Sequence, residues 1–133
     1  MSRREIREQI FKLLFLLEFY RGEELNEQAE LYLNEVEEVA PSEQESEYIR
    51  AKFHKIEEKL SELDEVLSKA STGWKLNRMG KVDLAILRLA AYEIKEDEDI
   101  PVGVAINEAV ELAKKFGGDD SPAFVNGVLA KLV

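Results

Sequence analysis

The chain has no cysteine and one histidine among its 133 residues. Without cysteine it forms neither a disulfide bond nor a thiolate metal site, which fits a reducing compartment. The single histidine, His54, has no neighbouring serine or aspartate in a nucleophile pattern, and one histidine cannot supply the paired Glu-x-x-His ligands of a helical metal centre. Phosphate-binding glycine loops are missing too. We therefore expect a protein that is not an enzyme and that uses no metal or cofactor.

Long apolar runs are also missing. The longest stays far below the roughly 20 residues that a membrane-spanning helix needs. Charged side chains within the first eight residues leave no room for the apolar region of a signal peptide. The sequence thus predicts a cytoplasmic protein, and its length predicts one domain that buries about two-thirds of its unfolded surface.

Positive charge is scarce and unevenly placed. The 18 Lys and Arg residues stand against 28 Asp and Glu, which gives a net charge of −10. Residues 1–22 carry five basic and three acidic side chains (net +2), residues 23–65 four and fifteen (net −11), and residues 66–133 nine and ten (net −1). Exposed charges more than about 8 Å apart are largely screened at physiological ionic strength, so a basic patch can coexist with this acidity. We expect weak RNA binding by the chain alone.

Residues 3–20 have the pattern of an amphipathic helix. Apolar side chains at steps of four and three form one core stripe: Ile6, Ile10, Leu13, Leu14 and Leu17. The flank beside that stripe carries two cations and two rings: Arg4, Arg7, Phe11 and Phe15. Such a flank suits single-stranded RNA, because guanidinium groups pair with phosphates and rings stack on bases. The alternative is that both rings pack as the edge of the core.

Two further helices are predicted in the acidic segment, over residues 24–39 and 42–70. Pro41 separates them, and Ser42 with Glu45 has the spacing of a capping box. The longer helix repeats apolar residues at strict four-three steps, which is typical of a seam packed against other helices. Its acid-rich outer face is expected to be solvated, with attraction of a basic partner as the alternative.

The most apolar stretch, Val82–Ile94, predicts a helix without a water-facing side, and such a helix lies at the centre of a bundle. Its polar residues need partners or must reach the surface: Asp83, Arg88 and Glu93. Trp74, in the connection before this helix, is interpreted as a hydrophobic plug between an N-terminal half (residues 1–72) and a C-terminal half (residues 73–133).

Two helices are predicted to end the chain. Pro101 suits the first position of a helix that runs to Phe116, and Gly117-Gly118 ends it. Ser121 as N-cap and Pro122 at the first helical position open the last helix. This junction is a candidate RNA site, because it offers free N–H groups, a ring and an amide: Asp119, Asp120, Ser121, Phe124 and Asn126. The alternative is a capped helix with that ring in the core.

Motifs in the C-terminal half carry a family resemblance. They are Trp74, Val82-Asp83, Ala85-Ile86-Leu87-Arg88, Ala90-Ala91-Tyr92-Glu93, Pro101-Val102, Val104 to Lys114, Phe116-Gly117, Ser121 and Phe124 to Leu129. In order and spacing they resemble the NusB family of transcription antitermination factors. The match covers the C-terminal half almost without a gap, whereas the N-terminal half matches through an Arg-bearing first helix.

This resemblance implies an all-α protein of six to seven helices in two three-helix bundles, with residues 1–133 as a single NusB-like domain. It also implies a function. Proteins of this family bind the boxA element of ribosomal RNA leader transcripts together with NusE, a small-subunit ribosomal protein, and act with RNA polymerase and other Nus factors against termination. A homodimer is compatible with the resemblance.

Carried onto this chain, the resemblance assigns RNA binding to the first helix and the last junction: Arg3, Arg4, Arg7, Phe15, Asp120, Ser121 and Phe124. Local chemistry adds Asn126 to that set. The surface that faces NusE is assigned to three residues or their neighbours: Asp83, Arg88 and Glu93. Because Glu5 interrupts the basic run, RNA affinity should be low without a cationic partner.

Two alternatives remain at this point. One is an acidic helical adaptor that binds proteins without contacting RNA. The other is a stand-alone relative of the RNA-binding domain found in some RNA cytosine methyltransferases.

Overall fold

A computed structural model describes residues 1–35, 41–71 and 75–133 of the chain. Their helices are α1 (Arg3–Leu16), α2 (Gly22–Glu35), α3 (Glu43–Glu58), α4 (Leu60–Ala70), α5 (Lys81–Glu96), α6 (Val102–Phe116) and α7 (Ser121–Ala130), with a 3₁₀ turn at Leu76–Arg78. Within these ranges there is no strand, which confirms the all-α prediction. In the same ranges, no helix combines the length and apolar character needed to cross a membrane.

The described residues form two compact units, Met1–Glu57 and Glu58–Val133. The first contains α1, α2 and nearly all of α3. The second contains α4 to α7, and in it α5 contacts α4, α6 and α7. Residues 72–74 lie outside the described part, so the role of Trp74 and the boundary between residues 72 and 73 stay predictions.

The apolar stripe of α1 is buried as predicted, except for its first member. Four of its side chains are at most 1% exposed: Ile10, Leu13, Leu14 and Leu17. Ile6 is half-buried near the start of the helix. The stripe therefore anchors α1 in the core of the first unit.

Helix α1 is shorter than the predicted 3–20. After Leu16 the backbone forms hydrogen bonds between residues three apart, as in a 3₁₀-helix. The Leu17 N–H donates to the Leu14 carbonyl at 3.1 Å, and the Phe19 N–H donates to the Leu16 carbonyl at 3.0 Å. This pattern tightens the last turn of a helix and ends it. Gly22 then opens α2 at φ +60°, a conformation that glycine adopts without steric cost.

The single helix predicted over residues 42–70 is wrong, because the chain breaks at Lys59 into α3 and α4. Lys59 has φ −95° and ψ 5°, outside the helical region, and caps the start of α4. The apolar four-three repeat continues across the break. It indicates which side chains are buried, but it does not indicate whether the helix backbone is continuous. The repeat thus supplies the cores of both units.

Two capping boxes fix the starts of α1 and α3. In the predicted box, Ser42 N–H donates to Glu45 Oε1 at 2.9 Å and Glu45 N–H to Ser42 Oγ at 3.1 Å. Ser2 and Glu5 form an equivalent box at the start of α1. The other oxygen of Glu45 accepts a hydrogen bond of 2.6 Å from the Met1 amino group. This amine and the Ser42 N–H lower the pKa of Glu45 from 4.5 to about 2.

Helix α5 is the centre of the second unit, as predicted. Ten consecutive residues, Leu84 to Glu93, are buried. Arg88 pairs with Asp64 of α4 through two parallel bonds of 2.9 Å, Nε to Oδ1 and NH2 to Oδ2. Such a bidentate pair is the strong geometry for a buried guanidinium group. The predicted need of Arg88 for a partner is therefore met inside the unit.

We predict that Asp64→Asn destabilises the protein by about 3 kcal/mol, because it leaves the buried Arg88 charge without its carboxylate. This loss of stability lies at the lower end of the range for breaking a buried ion pair. The reason is that the Asp64 side chain is 28% exposed, whereas that of Arg88 is 8% exposed. Urea unfolding followed by circular dichroism measures the difference.

The control is Glu65→Gln, which removes an exposed α4 carboxylate paired with Lys69 and should change stability by less than about 0.5 kcal/mol. Replacing both partners, Asp64→Leu with Arg88→Met, should recover most of the loss. Equal stabilities of Asp64→Asn and Glu65→Gln would contradict this account.

We predict that the Glu45 contact makes stability depend on pH in the acid range. Because the pKa of Glu45 falls from 4.5 to about 2 on folding, its contribution is complete above pH 4.5 and is lost as the pH falls toward 2. Glu45→Gln keeps a capping group without the charge. Its melting temperature should lie below that of the parent at pH 6, and the gap should close toward pH 2.

Glu27→Gln, at an exposed position of α2, is the control and should show no such closing gap. The melts require protein without an N-terminal extension, since the Met1 amine is the partner. A constant gap between parent and Glu45→Gln over the whole range would rule out this linkage.

Candidate RNA interface

The first turns of α1 present a short basic segment to solvent. Ser2 caps the helix, and its hydroxyl accepts the Glu5 N–H at 3.1 Å. Arg3 and Arg4 are exposed, whereas Arg7 is half-buried. The bonds to Ser2 hold the pKa of Glu5 below its ordinary value, so this carboxylate stays charged among the arginines. The segment is therefore cationic but interrupted, as its sequence predicts.

The structure separates the two rings of the predicted RNA-binding flank. Phe11 is 3% exposed and belongs to the core, so the alternative of core packing holds for this ring. Phe15 is half-buried and meets Phe19 edge to face, with ring centroids 5.3 Å apart and planes at 72°. Phe15 thus keeps part of its surface available next to the arginine-bearing turns.

Sequence reasoning missed Phe19, which is 54% exposed. It lies four residues after Phe15, the spacing at which helical side chains become neighbours. That spacing was the available signal.

The junction between α6 and α7 is held by Gly117 and Ser121. A side chain at Gly117 would place its Cβ 2.5 Å from the Ser121 hydroxyl oxygen and 2.8 Å from the Ala113 carbonyl oxygen, so only glycine fits. The Ser121 hydroxyl accepts the Gly118 N–H at 3.0 Å. This close approach sets the direction in which α7 leaves the turn.

Ser121 is not the N-cap that the sequence predicted. Asp120 occupies the N-cap position without a side-chain cap bond, and Ser121 is the first helical residue. The reason is that the Ser121 hydroxyl points back to the Gly118 N–H. Ser121 is 8% exposed, and its N–H also bonds within the turn, to the Gly118 carbonyl at 3.1 Å.

The remaining junction residues divide between two sides of α7. Asp120 and Phe124 are four residues apart and share a side, the aspartate exposed and the ring half-buried. Asn126 is exposed but only two residues from Phe124, and residues at that spacing do not face each other. The helix therefore groups Asp120 with Phe124 and turns Asn126 away from them.

The residues assigned to partner binding lie mostly inside the second unit. Arg88 is 6% and Glu93 1% exposed. Asp83 is half-buried, and its Oδ1 is buried without a hydrogen-bond partner among the described residues. Exposed neighbours of these residues lie at the ends of α5, such as Lys81 and Glu96.

The described residues contain no group of three or more His, Asp or Glu side chains that could hold a metal ion. Helix α1 offers guanidinium groups and a ring face, and the junction by itself offers a ring face and an amide. These groups recognise phosphates and bases.

Comparison with known proteins agrees with this chemistry. A family model described as the NusB family matches residues 4–133. The transcription antitermination protein NusB of Lachnoclostridium phytofermentans is 57% identical over 133 residues, covering 100% of this chain and 99% of that protein. The protein of the same name from Bacillus subtilis is 42% identical, covering 99% and 95%.

Solved structures give the same result. The structure of T. maritima NusB superposes with a TM-score of 0.87 at 39% identity, covering 99% of this chain and 90% of that one. A structure of the antitermination factors NusB and NusE in complex with dsRNA shares the fold, with a TM-score of 0.76 at 23% identity and coverage of 96% and 92%. The family match over nearly the whole length and the high identity lead to one conclusion: this chain belongs to the NusB family.

Proposed function

We propose that this chain is a transcription antitermination factor that binds boxA-containing RNA as a heterodimer with NusE. The observation that carries the proposal is the exposed cationic start of α1, with Arg3 and Arg4 on the surface and the ring of Phe15 further along the same helix. Guanidinium groups supply phosphate contacts, and rings supply stacking for unpaired bases. A non-enzymatic role follows from the family, whose members named above are antitermination proteins.

The residues proposed to bind RNA are found in each unit separately: Arg3, Arg4, Arg7 and Phe15 in the first, and Asp120, Ser121, Phe124 and Asn126 in the second. The exposed arginines supply the main electrostatic attraction. Asp120 is negatively charged and cannot attract phosphate. In this proposal its carboxylate, at the N-cap of α7, accepts hydrogen bonds from base edges. Phe124 contributes a partly exposed ring. Ser121 holds the turn, since its N–H donates to the Gly118 carbonyl at 3.1 Å and its hydroxyl accepts the Gly118 N–H at 3.0 Å.

The need for NusE follows from charge. Residues 23–65 carry a net charge of −11, and Glu23, Glu24 and Glu27 of α2 are exposed. This acidic segment repels RNA, and a cationic ribosomal protein would supply the missing positive charge. A structure of NusB and NusE with dsRNA that shares this fold supports the pairing.

The partner surface is proposed around the start of α5, where Asp83 reaches the surface, with Arg88 and Glu93 supporting it from inside. RNA polymerase and other Nus factors complete the assembly. The place of action is the cytoplasm, where bacterial transcripts emerge. A homodimer is compatible with the same proposal.

The two alternatives have less support. A 57% identical relative of the same length is named as an antitermination protein, which favours that function over a methyltransferase-derived domain. A purely protein-binding adaptor would not need exposed arginines and rings on one helix of an otherwise acidic protein. The experiment below separates the adaptor from the RNA-binding factor.

We predict that the heterodimer with NusE binds a boxA RNA at least 10-fold tighter than either protein alone, because only the pair combines this surface with surplus positive charge. Fluorescence anisotropy with labelled single-stranded RNA, at two salt concentrations, measures this. Replacing Arg4 and Arg7 by Glu should weaken the heterodimer's RNA binding by at least 10-fold and leave NusE binding intact.

The matched control is Lys55→Glu with Lys69→Glu, which changes the net charge equally at exposed positions of α3 and α4. If the chain were an adaptor that does not contact RNA, the two pairs of substitutions would have the same effect on the RNA affinity of the heterodimer. Equal RNA affinity with and without NusE would overturn the heterodimer proposal.

A further inference from the structure

The end of α1 carries an aromatic pair at the protein surface. Phe19 is the most exposed ring among the described residues, at 54%, followed by Tyr48 at 50%. It packs against Phe15 with ring centroids 5.3 Å apart and planes at 72°. Phe15 therefore holds one side of Phe19, and about half of the Phe19 surface stays in contact with solvent.

The backbone holds Phe19 in a defined position. Its N–H donates to the Leu16 carbonyl at 3.0 Å, and the next N–H, of Tyr20, donates to the same carbonyl at 3.0 Å. The Arg21 guanidinium group donates to the Tyr20 carbonyl at 2.8 Å. A ring on a backbone fixed in this way loses little conformational entropy when it binds a ligand.

Phe19 continues a line of RNA-binding chemistry along α1. Arg4 and Phe15 are eleven residues apart, almost exactly three helical turns, so they lie on the same flank about 17 Å apart along the helix axis. Phe19 follows one turn beyond Phe15. The flank thus carries the Arg4 cation, then the Phe15 ring, then the Phe19 ring, along the 14-residue helix and the turn that ends it.

We propose that Phe19 is a stacking platform for an unpaired base, which extends the single-stranded RNA track of α1 beyond Phe15. This inference rests on the RNA-binding function proposed above and names a further residue for it. Because every base has a π-face, the contact adds affinity without selecting one base. It would hold the RNA segment that runs from the arginine-bearing turns toward the start of α2.

The surroundings favour RNA over a protein partner. The segment that carries Phe19, residues 1–22, has a net charge of +2, and Arg21 next to it is exposed. Protein interfaces need a contiguous apolar area of several hundred Å². Here one ring lies between polar residues, Glu18 and Arg21, with a half-buried Tyr20 beside it.

The test uses the heterodimer with NusE and a labelled single-stranded boxA RNA, at two salt concentrations. Phe19→Ala should weaken binding by about 5- to 150-fold, the loss typical of one stacked base. Phe19→Leu, which keeps apolar volume without a ring, should weaken it as well, whereas Phe19→Tyr should bind within about 3-fold of the parent. The loss should be equal at both salt concentrations, because stacking releases no counterions.

Leu31→Ala is the matched control, since Leu31 is an exposed apolar residue of α2, at 47%, and should not change RNA affinity. Parent-like affinity of Phe19→Ala and Phe19→Leu would overturn the stacking proposal, as would a loss that disappears at high salt. The double Arg4→Glu, Arg7→Glu variant distinguishes the two failures. If it loses affinity while the Phe19 variants do not, RNA binding stands; if none loses affinity, both proposals fail.

Discussion

The helices of the second unit pack around α5, whose central residues are buried on every side. The ten consecutive buried residues of α5 require neighbours on all sides, and α4, α6 and α7 supply them. The charge in the middle of this helix, on Arg88, is paired with Asp64 of α4. A buried guanidinium group tolerates little displacement of its carboxylate, so this pair fixes the register between the two helices. The turn at Gly117 follows α6, which packs against α5, and it sets the direction of α7.

The first unit separates opposite charges along a short chain. Helix α1 uses one stripe for the core and leaves its arginines and the Phe15–Phe19 pair at the surface, whereas α2 and α3 turn glutamates outward. The Met1 amine and Glu45 tie the start of α1 to the start of α3. A nucleic acid therefore meets attraction at α1 and repulsion from the acidic helices.

Most of the helices could be predicted from the sequence because apolar periodicity, glycine and proline mark them. The central position of α5 followed from its composition, and the capping box at Ser42 from its spacing. The break at Lys59 could not be predicted in this way, because the apolar repeat continues across it. The course of residues 36–40 lies outside the described part, so the predicted end of the second helix is untested.

The candidate site was less accessible to sequence reasoning, because it depends on where side chains point. Phe11 and Phe15 occupy similar positions in the pattern, yet packing buries the first and leaves the second half-exposed. Ser121 has the composition of an N-cap, but its hydroxyl binds the preceding turn. Arg88 and Glu93 carry charge in a family motif, and only the structure shows that both are buried.

The central claim is that α1, and not the acidic surface, receives the RNA. Amide chemical-shift mapping of the isotope-labelled chain in complex with NusE, during titration with boxA RNA, tests it most directly. The account predicts that the largest shifts occur from Arg3 to Phe19 and around Asp120 to Phe124, and that the amides from Glu23 to Glu30 stay unchanged. Shifts concentrated on the α2 amides, with α1 unaffected, would contradict it.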